Sequence, residues 1–317
     1  MKKFVCRIVI LLLLSIPVLF AVDYVITKVV VYGGNGYYAE WCDIYQDNIN
    51  EDLIILGSSR AKRHFNPLLI ENCTNITAYN LGFTAASFDA MHTKFLEYYY
   101  HTSHKPQYVT LSLDCFSMSH SGELFDHWRV LPFLLYSQNL RQRFADYDCF
   151  PTYYYYLPLV RYSGYFYKIL RSFVLTHSIL YHGYYLEDPH HQQWNQDDFL
   201  FNKRNNTGIV AQIDSCEVAD FKQFIVFCKT NSIKLNIVYT PEYYGGQCFT
   251  ANRDSVLSFY QSVAQEYQTP FRDFSVDSIN YDTAFFSNVM HLNSKGADEF
   301  TQKYYVPYLM ELYGNRN

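Results

Sequence analysis

Residues 52–67, DLIILGSSRAKRHFNP, stay apolar for four positions and then break into a glycine, two serines and a basic cluster. An apolar run this short, bounded by Asp52 and Gly57, has the length and branching of a strand buried on both faces of a parallel sheet. Open α/β sheets place their sites at the carboxyl ends of such strands. Gly57 permits a sharp turn, and a serine just past it would stand exposed near the amides of whatever helix follows. That is where a nucleophile would sit, although Gly-Ser-Ser also punctuates ordinary surface loops. A second stretch with chemistry in it is FFSNVMHLNSKGADEFT, residues 285–301, where His291 precedes a helix capped by Asn293 or Ser294. A lone histidine there is ordinarily a loop residue; beside a serine hydroxyl it could take the proton during attack and return it to a leaving alcohol.

Alternating strands and helices are expected to position these residues. After the strand at 52–57 come Ala78-Tyr79-Asn80-Leu81-Gly82, a helix over about 87–101, and a third strand, QYVTLSLD, ending on the carboxylate of Asp114. A second set follows: a helix from near Cys216, the strand KLNIVYT at 234–240, a helix over about 254–265, a short strand at 271–274 and a last helix over 294–313. Such alternation implies βαβ units and a parallel sheet covered on both faces. Between 115 and 213 it stops, in favour of aromatic-rich sequence interrupted by Pro132, Pro151, Pro158 and Pro189. This segment reads as a largely helical insertion over the carboxyl edge of the sheet, with an independent second domain as the alternative.

Lys2, Lys3 and Arg7 precede the uncharged stretch 8–22, which can be extended to Val31 at the cost of including Asp23 and Lys28. The cleavage pattern around Ala21 is poor, so residues 1–31 read as an uncleaved signal anchor rather than a cleaved signal or a core helix. The basic flank belongs in the cytoplasm, which would leave the remainder extracytoplasmic, on the periplasmic side of the cytoplasmic membrane. The net charge is −5, and beyond the three basic residues before the apolar run it is more negative still. That argues against nucleic acid as a partner. Hydrophobic residues at 49% and charged residues at 17% exclude wholesale disorder. Eight cysteines form no Cys-x-x-Cys pair, which disfavours a zinc ribbon or thioredoxin-type site. His190 and His191 lack a spaced third ligand and read as a polar loop, so no metal and no cofactor is expected. Arg60, Lys62 and Arg63 read as a solvated basic face, with an anionic glycan or phosphate as the alternative ligand. The 32 tyrosines, clustered at 98–100 and 153–156, suit either a sugar-binding cleft or nothing beyond compositional habit.

In order along the chain, Gly57-Ser58-Ser59, Gly82, Asp114 and Asn288-Val289-Met290-His291 resemble the four blocks of the SGNH (GDSL-type) hydrolase superfamily. LGSSRA with HLNSKGA is most similar to its membrane-anchored, exported branch, which includes cell-envelope and polysaccharide acyl-transfer proteins. The resemblance covers most of the chain from Asp52 to about Tyr313. It implies a three-layer α/β/α, flavodoxin-like domain over 32–317, with Ser59 as nucleophile, His291 as general base, and the amides of Ser59 and Gly82 facing the oxyanion. The sequence departs from the family pattern in three places. Ser58 stands where aspartate is usual. Asp114 replaces an asparagine donor and as a carboxylate would repel the oxyanion, so either Asn80 is the substitute donor or the hole has only two amides. Asn288 replaces the aspartate that orients the histidine; it can still accept a hydrogen bond from the imidazole but brings no charge, and Asp282 is the alternative orienter. The resemblance implies an extracytoplasmic serine esterase or O-acyltransferase acting on acyl esters of envelope or exported polysaccharide, working with a membrane-bound acyl-donor protein. The alternative is a catalytically silent glycan-binding or scaffold protein on the same fold.

Overall fold

The computed structural model describes residues 2–33, 36–120, 122–174, 180–185, 193–205 and 208–314; His190 and His191 lie outside them. Helix α1, Lys2–Gly33, is followed by α2, Ala39–Tyr45, and by the first strand, β1, Leu53–Gly57. Then come α3 (Ser59–His64), α4 (Pro67–Thr74), β2 (Ala78–Asn80), α5 (Phe88–His101) and β3 (Tyr108–Leu113). The stretch before the next long helix holds α6 (Gln138–Arg143), α7 (Phe166–Val174), a hairpin of β4 (Leu180–Tyr181) and β5 (Tyr184–Tyr185), and α8 (Gln196–Asn205). The chain closes with α9 (Ser215–Thr230), β6 (Lys234–Tyr239), α10 (Tyr244–Gln247), α11 (Arg253–Glu266), β7 (Phe271–Asp273), α12 (Ser294–Phe300) and α13 (Val306–Tyr313), the last two joined by a π-helical turn.

Five strands form one sheet in the order β2-β1-β3-β6-β7, and every pairing is parallel. The connection from β1 leads to one side and that from β3 to the other, so the carboxyl ends of these two strands flank the switch point where α/β sheets bind ligands. Alternate residues of β1 serve opposite faces, as strand geometry requires. Leu53 and Ile55 join Phe65, Ile70, Phe300 and Leu309 in one core, while Ile54 and Leu56 join Phe88, Phe95, Phe224 and Tyr260 in the other. Each such side chain contributes about 1.5–3 kcal/mol on burial, so β1, which ends at Gly57 just before Ser58, ties the two layers together. Many of the tyrosines serve these cores, with Tyr98, Tyr239, Tyr260 and Tyr305 fully buried.

Three expectations are corrected. The 115–213 segment is not largely helical among the described residues: its helices are short and separated by 3-10 turns at His127–Arg129, Thr152–Tyr155 and Val160–Tyr162. Pro132, Pro151 and Pro158 remove the donors that longer helices would need. Nor does the whole segment lie over the carboxyl edge of the sheet. Phe116, Asn202, Asn205 and Ile209 do line a cavity there, but Leu131, Phe133, Leu140 and Phe144 pack into the core with α2 and α5. Finally, Arg60 and Lys62 are no solvated face. Arg60 is buried against Glu242, and Lys62 with Lys94 is buried against Glu40. The turn expected after Gly57 is the start of α3, whose short helical period swings these two side chains inward.

Helix α1 is long and apolar enough to cross a membrane. Residues 2–22 project away from the domain, whereas Asp23, Thr27, Val30 and Val31 are buried against it.

Candidate functional site

Gly57 ends β1 with φ +154°, and a Cβ there would lie 2.4 Å from the carbonyl oxygen of Ser112 and 2.8 Å from Ala61 Cβ. Only glycine lets the chain turn this tightly between β3 and α3. Ser58 then caps α3, its hydroxyl accepting from the Arg60 amide, and Ser59 is the first helical residue. The turn leaves Ser59 partly exposed between two buried neighbours.

Ser59 Oγ lies 2.8 Å from Nε2 of His291, although 232 residues separate them in sequence. The histidine sits in a closed loop. Ser287 N donates to the His291 carbonyl at 2.9 Å, Asn293 N donates to Phe285 O at 2.9 Å, and Asn293 Oδ1 caps α12 by accepting from Gly296 N. Asn288 Oδ1 accepts from the amides of Met290 and His291 at 2.9 and 3.0 Å and stands 3.1 Å from His291 Nδ1. Because two backbone donors point at that atom, it must be the oxygen of the amide. Nδ1 therefore donates to it, which leaves the Nε2 lone pair facing Ser59. This is the tautomer that a general base requires.

His64 braces the same loop, and sequence reasoning missed it. It is fully buried, its Nε2 accepts from Leu292 N at 3.1 Å, and its ring meets that of His291 edge-on at 6.4 Å between centroids. Burial, helped by the nearby charges of Arg60, His291 and Arg63, holds its pKa well below the usual imidazole range. A neutral ring is what accepting from Leu292 demands. The only available signal was its place in the RAKRH run, where it reads as one more basic residue.

The substitute residues expected from the sequence take other roles. Asp282 is exposed and caps a 3-10 turn, accepting from Ala284 N; it is Asn288 that meets the His291 ring. Asn80 is not an oxyanion donor. Its Nδ2 donates to the carbonyls of Ala61 and Phe65, and its Oδ1 accepts from Gly82 N at 3.0 Å. The Gly82 amide is thereby committed as well. Gly82 itself is required by close approach, since a Cβ there would lie 2.6 Å from the Lys62 amide nitrogen. Asp114 turns away from an oxyanion position: Oδ2 accepts from Ser58 Oγ at 2.5 Å and Oδ1 from Phe116 N at 2.8 Å. Ser58 and Asp114, two positions that differ from the pattern the sequence resembles, are thus partners. The carboxylate absent at position 58 stands at 114 and holds the Ser58 hydroxyl across the switch point. The Ser59 amide opens α3, where the helix itself provides no acceptor.

Behind the pair lies a cavity of about 400 Å³, lined by Arg60, Cys115, Tyr239, Gly246, Val289 and Met290 among others. Its wall is formed by the chain neighbours of the pair, Arg60 after Ser59 and Met290 before His291, rather than by the pair itself. Arg60 is fixed there by Thr240 and Glu242 and lies over the Tyr239 ring, 4.5 Å from its centroid.

The neutral Asn288 carries a prediction. Asn288→Asp keeps an acceptor for Met290, His291 and the ring while adding the charge that stabilises imidazolium, so turnover on an aryl ester should rise by one or more powers of ten. Losing such a charge costs up to about 10⁴-fold when the tautomer is lost with it. Asp282→Asn should leave kcat within about twofold, the usual scatter for an exposed side chain remote from the reacting atoms. A kcat that falls in Asp282→Asn and stays level in Asn288→Asp would reverse the assignment.

Fold and site together define an α/β protein with an apolar amino-terminal helix and a serine–imidazole pair at the carboxyl edge of its parallel sheet. No protein-family model matches the chain, and no curated protein matches it.

Proposed function

We propose that the protein is an SGNH-type serine esterase or O-acyltransferase of three-layer, flavodoxin-like architecture. The reading places it on the outer side of the cytoplasmic membrane, acting on acyl esters of envelope or exported polysaccharide. The observation that carries it is the 2.8 Å contact between Ser59 Oγ and His291 Nε2, with Asn288 Oδ1 on the far ring nitrogen. In this reaction His291 takes the Ser59 proton as Oγ attacks the ester carbonyl, and the Ser59 amide faces the developing oxyanion. His291 then returns the proton to the departing alcohol, leaving an acyl-Ser59. Water or a sugar hydroxyl, deprotonated in turn by His291, releases the acyl group and restores the serine. Acyl supply from a membrane-bound donor protein would suit a domain held at the bilayer.

A second reading, a silent scaffold or glycan-binding protein on the same fold, draws on one observation: the Gly82 amide donates to Asn80 instead of standing open to an oxyanion. A membrane-impermeant fluorophosphonate applied to intact cells separates the two readings. Labelling that maps to Ser59 supports both the chemistry and the orientation. Labelling only after lysis would overturn the orientation, and no labelling under either condition would favour the scaffold.

A further inference from the structure

We propose that the aromatic rim of the insertion, formed by Tyr153, Tyr156 and Leu157 with Phe166, Tyr167 and Leu170, is a second membrane contact. It would lie in the headgroup layer beside α1 and set the domain on the phospholipid surface. The inference rests on α1 spanning the bilayer and is independent of any chemistry at Ser59.

The level of the bilayer follows from α1. Residues 2–22 project from the domain and Asp23 is the first one buried against it. At about 1.5 Å per residue those residues extend roughly 30 Å, the thickness of a hydrocarbon core. The water-facing boundary therefore falls near Asp23. Asp23 is pinned to the insertion: Oδ1 accepts from Arg161 Nη2 at 2.5 Å and Oδ2 from Leu159 N at 2.6 Å. One turn on, Thr27 Oγ1 meets Tyr162 OH at 2.6 Å. These contacts hold residues 159–162 at the boundary, directly against the helix. They also explain how an apolar helix tolerates Asp23, whose charge is neutralised by Arg161 where the helix leaves the lipid.

What the insertion exposes at that level is apolar and amphipathic. Tyr156 is 71% exposed and Leu157 50%. Helix α7 buries Ile169 in the core and turns Phe166, Tyr167 and Leu170 outward, Tyr167 at 72% exposure. Lys168 lies over the Trp128 ring, and that ring packs on Tyr37 and Tyr38, the residues just after α1. Helix α7 is thus fastened to the base of the anchor rather than to a remote part of the domain. On the other flank Leu135 and Tyr136 line a groove of about 330 Å³ with Phe20, Tyr24 and Lys28 of α1. Tyrosine with leucine and phenylalanine, bordered by Lys28, Lys168 and Arg171, matches an interface in which apolar bodies sit among acyl chains and polar tips among anionic headgroups. Continuity with the spanning helix identifies lipid as the occupant.

The full chain, with Cys6, Cys73, Cys149, Cys216 and Cys248 replaced by serine, would be reconstituted in nanodiscs of phosphatidylethanolamine and phosphatidylglycerol. Single cysteines from Leu12→Cys, Leu157→Cys, Tyr167→Cys, Leu170→Cys or Val276→Cys would carry an environment-sensitive fluorophore. Val276, exposed just after β7 at the far edge of the sheet, is the water-facing control. The rim labels at 157, 167 and 170 should be quenched several-fold more by lipids brominated high on the chain than by aqueous iodide, and the label at 276 the reverse. Rim labels that respond to iodide like the label at 276, while the label at 12 remains lipid-quenched, would overturn the rim. A label at 12 that escapes lipid quenching would overturn the span itself. Shielding of the rim that persists in detergent and grows with protein concentration would assign it to a second copy of the chain, and so would also overturn the proposal.

Discussion

Ser59→Ala should abolish ester hydrolysis by the purified full-length protein, lowering kcat on an aryl acetate at least about 10³-fold while the fold is unchanged by circular dichroism. The magnitude follows from the site. In an intact serine triad, removal of the nucleophile costs about 10⁶-fold, and the remainder reflects the oxyanion donors and binding. Here the wild-type starting point is lower, because Asn288 accepts from the His291 ring without supplying a charge. The tautomer survives, however, since two backbone amides hold the Asn288 oxygen toward the ring, so the deficit should be well short of the loss seen when the tautomer is wrong. His291→Ala should cost a similar factor, and the double variant hardly more than either, because the two groups act as one unit. Equal rates for wild type and Ser59→Ala would show that Ser59 merely opens a helix.

The second large effect is on stability. Glu40→Gln should destabilise the protein by about 3–5 kcal/mol, the usual cost of leaving buried charge unpaired. Glu40 is 4% exposed and meets both Lys62 and Lys94, which are equally buried. Burial alone would raise its pKa, but the two ammonium groups and Arg129 overcome that and hold it down at about 2. With the folded value below the ordinary 4.5, Glu40 contributes stability above that pH and loses it as the pH falls toward 2. Urea midpoints of wild type and Glu40→Gln should therefore converge across that window. Midpoints that differ by the same amount at pH 7 and pH 3 would mean that the ion pairs are not the cause. Gly82 rests on the Lys62 backbone, and its carbonyl lies 3.4 Å from Lys94 Nζ, so the same substitution should loosen the turns around Ser59. Helix α2, which carries Glu40, follows the apolar amino-terminal helix almost directly; the cluster thus joins that helix to the site.

The alternation of short apolar runs with amphipathic helices was legible because it reflects backbone periodicity and burial, which are local properties of sequence. β1, β3, β6, α5, α9 and α11 lie within a residue or two of where the pattern puts them. Helices α2, α3 and α4 were not legible, because polar and aromatic side chains obscure their buried faces. Lys62 looks like a surface residue until Glu40 is seen beneath it, and Asn66 looks like loop until it caps α4. In the site, Ser59 and His291 could be singled out from glycine-bounded turns and helix caps. That they touch depends on β1 and on the loop before α12 meeting across the sheet edge.

Sequence by itself determined the parallel α/β framework, the apolar amino-terminal helix, and the serine and histidine at the ends of their elements, since each follows from hydrophobic period, length and turn chemistry. Tertiary structure alone decided which polar groups are partners. Asp114 is directed to Ser58, His291 to Ser59, His64 to Leu292, and Glu40 to Lys62 and Lys94. The physical reason is that a buried donor or acceptor must find a partner wherever packing supplies one, and packing brings together residues that lie far apart along the chain.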